Sequence, residues 1–356
     1  METNTTQAIS FPKPTGAYFV GTTSLYFVDS QREEIYTEDK SDRRELTAKV
    51  WYPSVEVPGA VNEPYLSEDL ISGLLSRSED PPQDLVNFIR SVPTNSVANA
   101  PVATAESEYP VLIFSPGRTT FPEYSTFLAE ELASQGFVVV GINHTYDSEV
   151  NVFPDGRVVP GTRIFDEARR EGGIDSEFLQ LLGQSVTIKA EDARFVLNEL
   201  EKFDAGNDPT GLFHGKLDLD RVGIYGVSSG GAAAAKALSI DPRFKAGINL
   251  DGSLYGDVAN ASLSQPYMAF INESFSTEIF SDALSRELEG RRQPLFDNLK
   301  NEGYSVTILG TTHPHFASDI AFLFPLLRDS GIELAGNLEV NINAFFNGTG
   351  GLQINW

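Results

Sequence analysis

Apolar residues in this chain come in short runs, separated by longer stretches in which they recur every third or fourth position. Residues 111–114 (VLIF), 137–142 (FVVVGI), 244–250 (FKAGINL), 265–272 (QPYMAFIN) and 304–309 (YSVTIL) are such runs, with Pro, Gly, Asp or Asn close to each end. That is the pattern of strands buried on both faces of a sheet. Residues 46–52 (LTAKVWY) alternate apolar with polar, which predicts a half-buried strand ended by Pro53. Residues 18–29 predict two edge strands around Gly21, and 31–44 a charged loop. Residues 150–159, with Pro154-Asp155-Gly156 at the centre, predict a β-hairpin.

The helical periods lie between these runs. In 122–135 the apolar residues Tyr124, Phe127, Leu128 and Leu132 fall at i, i+3, i+4 and i+8, and Gly136 follows in the C-cap position. Residues 165–203 carry a buried stripe of Val186, Ala190, Ala193, Val196, Leu197 and Leu200, with a polar turn at 204–210. A helical stretch with two arginine-rich turns runs to about Lys300, and two helices near 316–328 and 332–346 close the chain. Strands alternating with helices require a mostly parallel, doubly wound α/β sheet with right-handed crossovers. The expected organisation is one domain over 17–356 behind a flexible lead, 1–16. Residues 53–110 interrupt the pattern with six further prolines and short helical stretches at 66–75 and 83–89. They read as a lid or pocket-wall insertion, or as an excursion that only covers the sheet edge.

Composition narrows the function classes. The 356 residues are 41% hydrophobic and 21% charged, which suits one large globular domain. With 26 Lys and Arg against 50 Asp and Glu, the net charge is −24, which argues against nucleic acid as a partner and against docking on anionic lipid. There is no cysteine, so thiol catalysis, disulfides and cysteine metal sites are excluded. No His-Glu-x-x-His or calcium-loop pattern occurs, and no cofactor or metal is expected. No apolar run reaches the roughly 18 residues needed to span a bilayer, so no stable membrane insertion is expected. The first residues (METNTTQ) lack a basic and an apolar region. A cytoplasmic protein is the default expectation, and a secreted one with its leader already removed is the alternative.

The chemistry centres on residues 221–231 (RVGIYGVSSGG), which read as a strand, a tight turn and a helix of small residues. The turn spells G-x-S-x-G around Ser228, the form of a nucleophile elbow, whose strained geometry exposes the hydroxyl above the sheet edge. The plain alternative is a strand-to-helix turn whose serine caps the helix. A serine nucleophile needs a histidine base oriented by a carboxylate. The chain has four histidines: His144, His214, His313 and His315. His313 follows the last predicted strand, at the edge where such sheets place their sites. His315 and His144 remain candidates for the base or for lining the pocket. His214 precedes the elbow strand and reads as structural. For the acid, Asp251 ends the strand after the elbow, giving the Ser…Asp…His order of α/β-hydrolases, and Glu273, one strand later, is the rival. The oxyanion hole requires two backbone donors: that of Ser229, and one from the Gly117-Arg118-Thr119 loop, for which Arg118 is the candidate. Gly117, Thr119 and Phe316 are further pocket candidates.

Several segments resemble the plasma-type and intracellular type II platelet-activating factor acetylhydrolases. They are Leu112-Ile113-Phe114-Ser115-Pro116-Gly117, then Leu132-Ala133-Ser134-Gln135-Gly136-Phe137, Asn143-His144, Gly247-Ile248-Asn249-Leu250-Asp251-Gly252 and Gly310-Thr311-Thr312-His313-Pro314-His315-Phe316-Ala317. The resemblance runs from roughly Thr15 to Leu327. It implies an α/β-hydrolase fold and a calcium-independent serine esterase with its acid on the strand just after the elbow. That raises Asp251 over Glu273, and the H-x-x-F-A pattern favours His313. The second oxyanion donor implied is Arg118. Two positions depart from the family: Pro116 stands where a histidine is common, and Val227 stands where the animal enzymes have histidine. The expected partner is a small ester, including the short sn-2 chain of a phospholipid. A general carboxylesterase or a cutinase-like polyester hydrolase is the alternative with the same site, and a non-catalytic binding protein on a hydrolase fold is the alternative of another class.

Overall fold

The computed structural model describes residues 11–76, 83–165, 167–168, 176–273, 287–316, 319 and 351–355. The strands are β1 (Phe19–Glu33), β2 (Arg43–Ser54), β3 (Ser96–Ala98), β4 (Tyr109–Ser115), β5 (Val138–Asn143), β6 (Val150–Val152), β7 (Val158–Pro160), β8 (Leu217–Val227), β9 (Phe244–Leu250), β10 (Tyr267–Asn272), β11 (Gly303–Leu309) and β12 (Gly351–Asn355). The helices are α1 (Glu68–Leu75), α2 (Gln83–Ser91), α3 (Thr126–Ser134), α4 (Ser176–Lys202), α5 (Ser229–Ile240) and α6 (Arg292–Asp297). Ten strands form one sheet in the order β12-β11-β10-β9-β8-β4-β5-β2-β1-β3, and β6 and β7 pair as a separate hairpin. From β11 across to β5 every neighbouring pair is parallel.

The parallel centre follows from the apolar runs. In β4, Val111 and Ile113 join one core cluster while Phe114 joins another, and β8 divides Ile224 from Tyr225 in the same way. A strand whose alternate side chains are both apolar needs cover on both faces. The small residues Ala232–Ala235 let α5 lie against β8 and β9, and α4 packs beside α5. On the other face α3 contributes Ala129 and Ala133, packed with Trp51 and Val139. From β4 the chain steps to β5 on one side, and from β8 it steps through β9 to β11 on the other. The strand order therefore reverses between β4 and β8, and the crevice beyond the carboxyl ends of strands at such a point is where open α/β sheets bind ligands.

Several expectations need correction. Residues 19–33 form one unbroken strand, β1, in the sheet interior between β2 and β3, running into the start of the loop expected at 31–44. Gly21 is a close approach and not a break, because a Cβ there would lie 2.4 Å from the Tyr52 ring. β2 continues through Pro53 to Ser54. The helix expected from 122 opens as a 3-10 turn and becomes α-helical at Thr126. The turn after α4 is one π-helical turn, Phe203–Asn207. The short strands β3 and β12 had no apolar run to announce them. Residues 11–16 are docked: Phe11 is buried against Tyr65, and the Thr15 N–H and hydroxyl bond Glu131. The first ten residues of the predicted lead, most of the two C-terminal helices and residues 274–286 lie outside the described residues. The 53–110 segment builds its own small core, in which Tyr65, Leu70, Val86 and Phe88 pack with Phe121 and Val150. Among the described residues no helix is long and apolar enough to cross a membrane.

The elbow depends on the absence of side chains beside it. A Cβ on Gly230 would lie 1.9 Å from the Ser115 carbonyl oxygen and 2.6 Å from that of Pro116, both backbone atoms of the neighbouring strand end. Gly230→Ala is therefore expected to destabilise the fold by about 4 kcal/mol or more, the range of severe backbone and packing clashes. Urea unfolding of the purified variant measures this.

Candidate active site

Ser228 sits between β8 and α5 with φ +55° and ψ −125°, a conformation that L-residues other than glycine rarely adopt. Its N–H donates to the Leu250 carbonyl at 2.9 Å, which ties the turn to the end of β9. Glycine at 231 lets Asn249 approach, since a Cβ there would lie 2.0 Å from the Asn249 Oδ1. The strained turn is thus held by a strand on one side and by glycine contacts on the other. The Ser228 side chain is half-buried, and among the described residues no hydrogen bond reaches its Oγ.

Asp251 lies just past β9, also at positive φ (+57°), where aspartate is among the more tolerant residues. Its N–H donates to the Phe270 carbonyl, and the Gly252 N–H donates to Asn249 Oδ1 at 2.6 Å, so β9 and β10 together clamp the turn. The buried carboxylate accepts from the Asn272 N–H at 2.9 Å and from Asn272 Nδ2 at 2.6 Å. His313 Nδ1 approaches Asp251 Oδ2 at 2.6 Å, with the His313 side chain 30% exposed. The imidazole is thus oriented by a fixed carboxylate and still open to solvent. The rivals have other partners. Glu273 accepts the Gly310 N–H at 2.7 Å, and His315 Nδ1 accepts the Thr312 N–H at 2.9 Å. His214 bonds the Asp204 carbonyl, away from the site.

Across the crevice, Gly117 faces the elbow: a Cβ on it would lie 3.3 Å from Ser228 Cβ. The Thr119 N–H donates to the Asp147 carbonyl and leaves the loop in a tight, positive-φ turn. Among the described residues the N–H groups of Arg118 and Ser229 have no acceptor, while the Arg118 guanidinium lies over the Phe165 ring at 5.3 Å. Two unpaired backbone donors are what a developing oxyanion requires.

One pocket expectation is corrected. His144 is fully buried beneath the site and cannot line it: its Nε2 is 2.9 Å from Ser115 Oγ and its Nδ1 is 2.8 Å from Asp192 Oδ2. Phe316 packs with Phe114 and Tyr225 and lines an apolar cavity with Leu128, Leu250 and Phe270. Asp192 also takes a two-pronged pair from Arg44, which bonds Glu34 in turn. Burial alone would raise the Asp192 pKa, but Arg44 and Arg32 outweigh it and hold the carboxyl well below the usual range. Burial lowers the His144 pKa and the Asp192 contact only partly restores it, which favours the neutral ring. A histidine whose pKa is depressed on folding contributes stability above its ordinary value of 6.5 that is lost as pH falls below it. Stability is expected to fall by up to about 1.4 kcal/mol per pH unit below 6.5 from this one proton. Chemical denaturation of wild type and His144→Asn between pH 5 and 8 checks this; the variant should lack that component.

Sequence reasoning missed Asn272, Asn249, Asp147 and Lys189. Asn249 and Asn272 carried hints, Asn249 within a segment that resembles the family and Asn272 beside Glu273 at the end of a predicted strand.

The chain is similar to known proteins over most of its length. The family model described as platelet-activating factor acetylhydrolase, isoform II, matches residues 3–345. A platelet-activating factor acetylhydrolase of Canis lupus familiaris is 25% identical over 356 residues, covering 93% of this chain and 73% of the dog protein. A probable 1-alkyl-2-acetylglycerophosphocholine esterase of Arthroderma benhamiae is 29% identical over 164 residues, 45% of this chain and 36% of that protein. Among solved structures, a ferulic acid esterase from Streptomyces cinnamoneus superimposes with a TM-score of 0.66 at 26% identity, covering 85% of this chain and 76% of that one. With the parallel sheet and its switch point, these likenesses lead to one conclusion: the chain belongs to the platelet-activating factor acetylhydrolase, isoform II, family and is an ester hydrolase on the α/β-hydrolase fold.

Proposed function

We propose that the chain hydrolyses short-chain carboxylic esters through an acyl-enzyme on Ser228. His313 is the general base and acid, Asp251 orients it, and the N–H groups of Arg118 and Ser229 bind the oxyanion. The observation that carries this reading is the 2.6 Å contact of His313 Nδ1 with Asp251 Oδ2, at the sheet edge that presents the strained Ser228. In the first half-reaction Ser228 Oγ attacks the carbonyl carbon and its proton passes to His313 Nε2. The carbonyl electron pair moves to oxygen, where the two N–H groups stabilise it. Collapse breaks the ester C–O bond, and the leaving alkoxide takes the proton from His313. Water then gives a proton to His313 and attacks the acyl carbon; the acid departs and Ser228 regains its proton.

The preferred substrate is an ester with a short acyl chain, including an sn-2 acetyl phospholipid, the class named for the dog relative and the fungal one. Likeness to a ferulic acid esterase favours a second reading, a general esterase that also accepts aromatic acyl groups. On either reading residues 17–356 act as one domain, and 53–110 is a pocket wall. Its packing on Phe121, three residues after Arg118, supports that role. The deciding test is acid release from an sn-2 acetyl phospholipid, p-nitrophenyl butyrate and methyl ferulate, with Ser228→Ala as the blank. Ser228-dependent turnover of the phospholipid with the highest kcat/KM supports the first reading. Turnover of the other two alone moves the protein to the second.

A further inference from the structure

α4 presents an anomaly on its buried stripe. Lys189 stands between Val186 and Ala190, facing the core, and is 1% exposed. Its ammonium hydrogen-bonds two acceptors and forms an ion pair with a carboxylate, all in the walls of the site. Nζ lies 3.0 Å from the Pro116 carbonyl oxygen, 3.0 Å from Ser229 Oγ and 2.6 Å from Asp147 Oδ1. Pro116 opens the Gly117-Arg118 loop, and Ser229 carries the donor on the elbow side. Asp147 is held by the Ser185 hydroxyl through its other oxygen, and its carbonyl receives the Thr119 N–H of the same loop.

We propose that Lys189 is the positioning residue of the oxyanion hole, its ammonium fixing the Arg118 loop and the Ser229 backbone relative to each other. The two candidate donors lie on segments far apart in sequence, one after β4 and one after β8, and each can shift with its own turn. A donor displaced by a fraction of an ångström from the developing alkoxide loses much of its value, because a preorganised site works by needing no rearrangement. A buried ammonium is a costly way to fill space: desolvation costs several kcal/mol per ion, and a packed apolar side chain is often as stable or more so. Burial accordingly pushes the Lys189 pKa down, against the pull of Asp147. A charge kept here at that cost, with both of its hydrogen bonds and its ion pair made to the oxyanion walls, fits a positional demand.

This inference rests on the Ser228 reading above, and its test separates the two. Lys189→Met keeps the side chain out to the Cε position and removes both hydrogen bonds and the ion pair. Expected for p-nitrophenyl butyrate is a fall in kcat of about ten- to a hundredfold, below the cost of deleting a donor outright, with KM within about twofold. A trifluoromethyl ketone, which forms a tetrahedral adduct with the nucleophile, should lose affinity by a similar factor, because it tests the oxyanion site. A residue that served only the fold would not shift kcat and adduct affinity together at constant KM. Ser229→Ala keeps the backbone donor and removes one ammonium partner; it should lower kcat about three- to tenfold, again at constant KM. If Lys189→Met does not fold, Ser229→Ala decides alone. A folded variant of either kind with kcat within twofold of wild type, or with its loss confined to KM, overturns the proposal. Full activity in Ser228→Ala would sink the underlying reading instead, whatever Lys189→Met does.

Discussion

Ser228→Ala is expected to lower kcat for p-nitrophenyl butyrate by about 10⁴–10⁶-fold, as loss of the nucleophile does in serine hydrolases that keep their oxyanion hole. The fold should not suffer, because among the described residues no hydrogen bond reaches the Ser228 hydroxyl. The backbone sharpens this prediction. Ser228 holds φ +55°, and such strain costs of order 1–3 kcal/mol in a non-glycine residue. Ser228→Gly should therefore be as inactive as the alanine variant yet more stable by about 1 kcal/mol, since glycine adopts that region freely. Steady-state kinetics and thermal unfolding of both variants measure the two effects. An inactive but stabilised glycine variant would mean that the fold spends stability to present the hydroxyl. A glycine variant less stable than wild type would show that the elbow is not strained in solution.

Asp251→Asn should lower kcat by about 10⁴-fold with little change in KM. The carboxylate accepts the His313 Nδ1 proton at 2.6 Å, which leaves Nε2 free to take a proton from Ser228. An asparagine amide can donate to Nδ1 instead, and the ring proton then moves to Nε2, where it blocks the base. Asn272 bonds both carboxylate oxygens, its N–H to Oδ1 at 2.9 Å and its Nδ2 to Oδ2 at 2.6 Å, so the substituted amide keeps its place once the Asn272 amide turns its oxygen toward it, and the loss is one of tautomer rather than position. Glu273→Gln provides the contrast. That side chain accepts the Gly310 N–H, a bond that a glutamine oxygen can still make, so kcat should stay within about threefold of wild type. Kinetics at pH 8 on both variants decide between the two acids. A dead Glu273→Gln beside an active Asp251→Asn would reverse the assignment.

Much of the architecture is legible in the chain. The five apolar runs reappear as β4, β5, β9, β10 and β11 within about two residues at each end, because strands buried on both faces can be built from little else. The elbow is equally local: the strand, the glycines at 226 and 230 and the small-residue helix are contiguous, and their geometry follows from sterics within a dozen residues. Gly21 and Pro53 misled for the opposite reason. Each looks like a strand terminator when read alone, and the Tyr52 ring across Gly21 and the pairing of Pro53 with Val20 come from the neighbouring strand. β3 and β12 exist because an existing edge offered them hydrogen bonds, which no period within them records.

The sequence by itself determined the fold class, the identity of Ser228 as the elbow serine and a short list of partners for it, since these depend on local pattern and on how few histidines there are. The tertiary structure gave each of these candidates its contacts. It put His313 rather than His315 against Asp251, turned Glu273 to a backbone N–H, and buried His144 under the site with Asp192. It also brought Lys189, from the middle of a helix, to the two loops that flank the serine. Hydrogen bonds and ion pairs of this kind act over about 3 Å between groups tens of residues apart. Chain spacing carries no record of them until the sheet has set which loops share an edge.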